Sequence, residues 1–145
     1  TIRKLSMQIS ARNQISGIVE LIEHGKINAQ VFIKLKSGNT LVSVITNTAA
    51  NNLNLEIGDD VVAIFKSSTV LITTDMALNI SARNKFDGIV DSINQDEINT
   101  ELVIDIGNSE KIASIITSSS FERLKIEKGT QVSAIIKASD VIIGK

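Results

Sequence analysis

Apolar side chains recur at every second position in two stretches of the chain. From Ile27 to Leu35 and from Ile98 to Ile106 the alternate residues are apolar, apart from Thr100. A period of two is typical of a β-strand that buries one face and exposes the other. We therefore predict two strands, with buried faces that begin at Ile27 and at Ile98.

Shorter apolar runs predict the remaining strands. In the first half of the chain these runs are interrupted by turn sequences at 23–26, 36–39 and 56–59, and they cover 16–22, 40–45, 61–66 and 70–72. The segment after Thr46 does not alternate, and a hydroxyl residue before such a run is a helix N-cap signal. Thr117 has the same place in the second half. We therefore predict one short helix in each half.

The two halves of the chain are copies of one sequence unit. Ser10-Ala11-Arg12-Asn13 returns as Ser81-Ala82-Arg83-Asn84, and residues 10–72 pair with 81–143 without a gap. Each copy is close to the size at which a single hydrophobic core is marginal, so we expect the copies to stabilise each other. We predict a first domain over 7–72 and a second over 78–143, joined by a short link that keeps them side by side.

Five short strands with one helical turn between the third and fourth fit a small Greek-key barrel of the OB type. The hydrophobic content of 43% rests on Ile, Val, Leu and Ala, with four Phe and no Trp or Tyr. β-branched residues favour strands. The predicted fold class is therefore all-β, with two tandem OB-like five-stranded Greek-key barrels, each carrying a short helix.

Composition argues against several classes of function. The chain has no cysteine, and its one histidine, His24, is replaced by Gln95 in the second copy, so we expect no metal cation ligands and no histidine-based catalysis. A net charge of −1 and few aromatic residues argue against a nucleic-acid partner, including single strands. No apolar run is long enough for a membrane span, and residues 1–4 lack a signal-peptide core. We expect a cytoplasmic protein that is not an enzyme and has no membrane partner.

Four pairs of polar residues kept in both copies are hydrogen-bond donors. They are Ser10 and Ser81, Arg12 and Arg83, Thr46 and Thr117, and Lys66 and Lys137, with Ser67 and Ser139 close to the lysines. Such donors, with no Asp or Glu shared by the copies in these stretches, suit a small, fully deprotonated oxyanion such as molybdate, tungstate or sulfate. The N–H groups that begin each predicted helix would add donors. Singly, each residue has an ordinary explanation: an ion pair for arginine, solvation for lysine, or a helix cap for threonine.

Together these residues resemble a known family. The run Ser-Ala-Arg-Asn, a Gly four positions later, Ile-Asn, Ile-Thr and a late Ala-Ile-x-Lys-x-Ser each occur twice and are similar to the Mop domain. This domain is the molybdate-binding member of the TOBE group. Two such domains in tandem resemble the small molybdate-binding proteins called di-Mop or ModG-like molbindins. The resemblance implies a homotrimer whose six OB-like domains bind oxyanions at domain–domain interfaces.

The resemblance also implies oxyanion ligands at matching positions. They are Ser10, Arg12, Thr46, Lys66 and Ser67 in the first copy, and Ser81, Arg83, Thr117, Ser120, Lys137 and Ser139 in the second. Asn28 and Asn99 are weaker candidates for a second kind of site near the trimer axis. Ala49 stands where the second copy has Ser120, and Ala138 stands where the first copy has Ser67. We therefore expect two unequal classes of interface site, each with one hydroxyl lost.

The leading hypothesis is a cytoplasmic protein that binds molybdate, or tungstate, reversibly for storage, buffering or homeostasis. The bound oxyanion is then its one expected ligand. The alternative is an oxyanion-sensing effector module of a molybdate-responsive regulator or transporter, in which this chain would be one part of a longer protein.

Overall fold

The described part of the chain, residues 2–5 and 7–145 of a computed structural model, contains ten β-strands and two short α-helices. The first repeat forms β1 (Asn13–His24), β2 (Asn28–Leu35), β3 (Thr40–Thr46), α1 (Asn47–Asn52), β4 (Asp60–Phe65) and β5 (Leu71–Thr73). The second repeat forms β6 (Asn84–Gln95), β7 (Asn99–Asp105), β8 (Lys111–Thr117), α2 (Ser118–Leu124), β9 (Gln131–Ile136) and β10 (Ile142–Gly144). A 3₁₀ helix precedes the last strand of each repeat, at Ser67–Thr69 and at Ala138–Asp140.

The predicted strands and helices are confirmed, with a correction at the start of β2 and β7. Ile27 and Ile98 were predicted to begin the buried faces, but their side chains are 73% and 76% exposed. Both residues precede the first strand residue, and their carbonyls accept hydrogen bonds from Asn47 N and Ser118 N at 2.8 Å. The alternation therefore continues one residue beyond the ladder, into the turn.

Each repeat gives its last strand to the sheet that the other repeat builds. The strand orders are β10-β4-β1-β2-β3 and β5-β9-β6-β7-β8, and the pairs are antiparallel. Unit 1 accordingly combines the chain up to Phe65 with Lys137–Lys145, and unit 2 is Lys66–Ile136. The domain boundaries 7–72 and 78–143 follow the sequence repeat and stay a prediction, whereas the compact units cross the repeat boundary.

Two buried serines hold the exchanged segments. Ser43 Oγ donates to Val141 O at 2.8 Å in unit 1, and Ser114 Oγ donates to Val70 O at 2.8 Å in unit 2. Both serines are fully buried. A buried hydroxyl without a partner is costly, so each bond satisfies the serine and fixes the chain just before β10 or β5.

Close packing between strands requires glycine near the middle of β1 and β6. A Cβ at Gly88 would lie 2.5 Å from the carbonyl oxygen of Asp105, and one at Gly17 would lie 2.7 Å from the carbonyl oxygen of Lys34. These backbone atoms cannot move aside as a flexible side chain could. The strictly repeated glycines therefore allow β2 and β7 to pack tightly across the long strands.

We expect Ile143→Ala to destabilise unit 1, although Ile143 belongs to the second repeat. Ile143 is 6% exposed and pairs with Ala63 of β4. Truncating a buried isoleucine costs about 2–5 kcal/mol. Hydrogen exchange measured by mass spectrometry should show faster exchange in β4 and unchanged exchange in β9.

Ile142→Ala is the matched control, because Ile142 is 60% exposed in the same strand and should leave exchange unaltered. Faster exchange in β9 rather than β4 after Ile143→Ala would mean that the last strands are not exchanged between the repeats.

Candidate functional site

Each unit gathers one arginine, one lysine-containing turn and several hydroxyls at the end of the sheet where its long strand begins. In unit 1, Gln14 of β1 and Ile142 of β10 both pair with Ile64, so the turn before β10 lies at the end where Ser10 and Arg12 precede β1. In unit 2, Lys85 and Leu71 both pair with Ile135 in the same way. We call these regions the arginine ends: residues 10–12 with 137–140 in unit 1, and 81–83 with 66–69 in unit 2.

The predicted threonines and asparagines meet at the other end of each sheet. Asn28 pairs with Thr46 across β2 and β3, and Asn99 pairs with Thr117 across β7 and β8. We call these regions the threonine ends. The family resemblance implied a separate kind of site for the asparagines, but within a unit they are the direct neighbours of the threonines.

The arginine end and the threonine end of one unit are too far apart to hold one small ion. They lie beyond opposite ends of β1 in unit 1, and β1 has 12 residues, which span roughly 36 Å along the strand. The same holds for β6 in unit 2. The expected ligand set that joins Arg12 to Thr46 is therefore not assembled within a single unit.

The lysines at the arginine ends are exposed and unengaged by the described protein. The side chains of Lys66 and Lys137 make no ion pair or hydrogen bond with residues 2–5 or 7–145. Ser10, Ser81 and Ser139 are exposed, as are Arg12 and Arg83. Ser67 differs, since its side chain is only 7% exposed. Each arginine end thus presents an exposed arginine, an exposed lysine and hydroxyl groups.

The helix starts offer fewer free donors than the sequence suggested. Thr46 caps α1 by accepting from Ala49 N at 3.0 Å, and Thr117 caps α2 by accepting from Ser120 N at 3.1 Å. The first N–H of each helix already donates to a carbonyl of the preceding hairpin. The helices have only six and seven residues, so their dipoles are short. Thr117 also donates to Ser120 Oγ at 2.9 Å. Unit 1 cannot form this bond, because Ala49 stands at the place of Ser120.

Strand exchange between the repeats also changes which unit contains each hydroxyl. From the sequence we expect each class of site to have lost one hydroxyl, because Ala49 and Ala138 fall in different repeats. In the structure Ala138 lies in unit 1 with Ala49, and Ser67 lies in unit 2 with Ser120. Both losses therefore fall in unit 1, one at each end of its sheet.

An acidic cleft of about 580 Å³ in unit 2 contains none of the predicted ligands. Its lining includes Asp87, Asp91 and Asp105. The Ser133 hydroxyl, 2.6 Å away, and then Lys85 lower the pKa of Asp87, while Asp91 and Asp105 raise the pKa of Lys111 by salt bridges of 3.1 and 3.3 Å. These carboxylates repel an oxyanion, so the cleft is not a candidate for one.

Neither a metal-ligand cluster nor a membrane-spanning helix occurs within residues 2–5 and 7–145. His24 is engaged through Nδ1 with Asn47 Oδ1 at 3.0 Å, and no cluster of three or more histidine or acidic side chains there could hold a metal ion. In the same part of the chain, no helix has the length and apolarity needed to cross a bilayer.

Two antiparallel five-stranded sheets, with repeated sets of donor residues at their ends, define a tandem OB-like fold. The chain belongs to the TOBE domain family, whose sequence model matches residues 9–72 and 80–143. This confirms the resemblance to tandem Mop-domain proteins that the repeated motifs indicated.

Similar proteins include longer chains and one solved structure. The molybdenum transport protein ModE of Azotobacter vinelandii is 36% identical over 139 residues, which are 96% of this chain and 52% of that protein. The molybdenum-pterin-binding protein MopA of Rhodobacter capsulatus is 35% identical over 144 residues, 99% of this chain and 54% of that protein. The chain thus spans about half the length of the curated relatives it matches.

A crystal structure of ModG matches over almost its whole length. It is described as a cytoplasmic molybdate-binding protein in a form with molybdate bound. It shares 38% of its sequence with this chain, superposes with a TM-score of 0.91, and the match covers 95% of this chain and 99% of ModG. The tandem arrangement and the strand topology are therefore those of a known protein of this size.

Proposed function

We propose that the chain binds molybdate, with tungstate as a near-equivalent ligand, and that it stores or buffers the oxyanion. The observation that carries the proposal is the arginine end: an exposed arginine, an exposed lysine that pairs with no described residue, and hydroxyl donors, present in both units. Charge-assisted hydrogen bonds of this kind are the strong ones. The molybdate bound to ModG supports the choice of ion.

The chemistry is reversible capture rather than catalysis. Arginine supplies a planar fork of donors, lysine a point charge, and serine or threonine hydroxyls rotate to suit the ligand. Phosphate near neutral pH keeps a proton that needs an acceptor, and the repeated set offers no shared acid. A donor-only site therefore favours a fully deprotonated dianion. We propose a binding protein, not an enzyme, with a cytoplasmic location like that given for ModG.

We further propose that the chain forms a homotrimer, in which a second copy completes the ligand set. Within one unit the arginine end and the threonine end lie too far apart to share an ion. Exposed apolar side chains occur in repeat-related pairs, as expected of surfaces covered by other copies: Ile9 and Ile80, Ile27 and Ile98, and Leu71 and Ile142. In this arrangement the arginine end of one chain meets the threonine end of another.

The arginines provide the direct test of the binding proposal. We expect Arg12→Ala with Arg83→Ala to weaken molybdate binding about a hundredfold, because each hydrogen bond to a charged group is worth about 1.5–3 kcal/mol. Calorimetric titration with molybdate measures this, with sulfate and phosphate as competing ions. Circular dichroism should show an unchanged fold, since both arginines are exposed.

Arg123→Ala is the control, because Arg123 is also exposed but lies in the last turn of α2. Equal molybdate affinity in the double variant and the wild type would remove the arginines from the site. A wild type that binds none of the three ions would refute the binding proposal itself.

The trimer is tested at the hairpin tips, which are the turns that carry Ile27 before β2 and Ile98 before β7. We expect Ile27→Asp with Ile98→Asp to dissociate the assembly, because a charge would replace apolar side chains that are 73% and 76% exposed in the single chain. Light scattering after gel filtration should fall from three times 15.6 kDa to 15.6 kDa.

Ile57→Asp is the matched control: Ile57 is 66% exposed, but the second repeat has Lys128 at its place. A wild type that already has the mass of one chain would rule out the trimer, and equal dissociation by Ile57→Asp would leave the hairpin tips without a special role.

A second candidate function is favoured by the length of the relatives. The chain matches about half of ModE, so it also fits the oxyanion-sensing part of a longer regulator or transporter. An antibody raised against this chain discriminates the two roles in extracts of the source cells. A band at 15.6 kDa supports the storage protein, and a single much larger band supports the sensing module.

A further inference from the structure

The two arginine ends differ most in the 3₁₀ turn that follows the lysine. The turns have matching backbones: Lys66 has φ −75° and ψ 140°, and Lys137 has φ −68° and ψ 134°. The next residue is buried in both, with Ser67 7% and Ala138 5% exposed. At this buried position unit 2 thus offers a hydroxyl and unit 1 a methyl group.

The Ser67 hydroxyl has no protein partner to explain it. Among residues 2–5 and 7–145 its Oγ makes no hydrogen bond, although the serine is more than nine-tenths buried. Other buried serines are bonded, as Ser43 and Ser114 show at 2.8 Å. No buried side-chain oxygen or nitrogen of the described chain lacks a hydrogen-bond partner, so the Ser67 Oγ itself must reach the surface of the unit. Ser67 therefore presents a hydroxyl that a ligand outside the chain can use.

A second sequence difference in the same turn, Thr69 against Asp140, also favours anion binding in unit 2 over unit 1. Thr69 of unit 2 donates to Lys66 O at 2.8 Å and carries no charge. Its counterpart in unit 1 is Asp140, whose carboxylate lies within the turn that Lys137 begins. A carboxylate near the lysine opposes the binding of any anion by Coulomb repulsion. Unit 1 has therefore lost a donor and gained a negative charge.

We infer that the two arginine ends are unequal, with the end in unit 2 binding the oxyanion first and the end in unit 1 binding it more weakly. This inference rests on the proposed function. The determinants are the paired positions Ser67 and Ala138, and Thr69 and Asp140. Because the last strands are exchanged, each turn belongs to the unit that the opposite repeat builds. The difference in affinity is therefore a difference between the two units. The chain would then respond to the ion over a wider concentration range than two equal sites allow.

A turn-exchange experiment tests the inference on the full chain. Calorimetric titration of the wild type with molybdate should resolve two classes of site. Ala138→Ser with Asp140→Thr gives unit 1 the turn residues of unit 2, and it should raise the weaker affinity about tenfold or more, since one charge-assisted hydrogen bond is worth at least that factor. Ser67→Ala should lower the stronger affinity by a similar factor. Ser92→Ala, which removes an exposed hydroxyl from β6, should change neither.

Amide chemical shifts locate the sites independently of the affinities. At low molybdate the amides of residues 67–69 should shift first, and those of 138–140 only later. Added salt should reduce the effect of Asp140→Thr, which is electrostatic, but not that of Ala138→Ser. Simultaneous shifts in both turns, one class of site, or an unchanged affinity in Ser67→Ala would overturn the inference and leave the binding proposal intact. A wild type that binds no molybdate would overturn the binding proposal, and the inference with it.

Discussion

The pairing of β10 with β4 and of β5 with β9 is the constraint on which the rest of the structure depends. Without the borrowed strand, each sheet would end at β4 or β9 with unpaired backbone groups, and Ser43 and Ser114 would lose their carbonyl partners. The covalent link between the repeats keeps each donor strand at a high effective concentration near its acceptor sheet. Two units that are individually close to marginal size are thereby completed by each other's chain.

The sequence predicted the strands well because burial of one strand face imposes a period of two. The helix caps were predictable for a similar local reason: Thr46 and Thr117 each accept one backbone N–H that the helix leaves unsatisfied. The exchange could not be predicted, because Val70-Leu71-Ile72 and Val141-Ile142-Ile143 are almost the same sequence. Either segment suits either sheet edge, so the choice depends on how the chain travels between the units rather than on local preference.

The candidate site could also be predicted only in part, because the identity of its residues is local information and their grouping in the fold is not. The donor inventory, with arginine, lysine and hydroxyls kept in both copies, was visible in the sequence. Which of these donors lie together was not visible, because the strand register places Asn28 beside Thr46 and leaves Arg12 at the other end of β1. Residue spacing along the chain cannot reveal this grouping, since the long strand separates donors that belong to the same repeat. Ser43 and Ser114 were also missed, although a serine repeated inside an apolar strand was a usable signal.

An anion bound at the arginine end of unit 1 would join segments of both repeats. Arg12 lies at the same end of unit 1 as the turn of Lys137, and that turn leads directly into β10. An anion held there would tie the exchanged strand to the start of β1. Any ligand that binds only the folded state stabilises it by mass action. Ion binding and strand exchange would then be coupled, because the residues proposed to hold the ion stand next to the strand that completes the sheet.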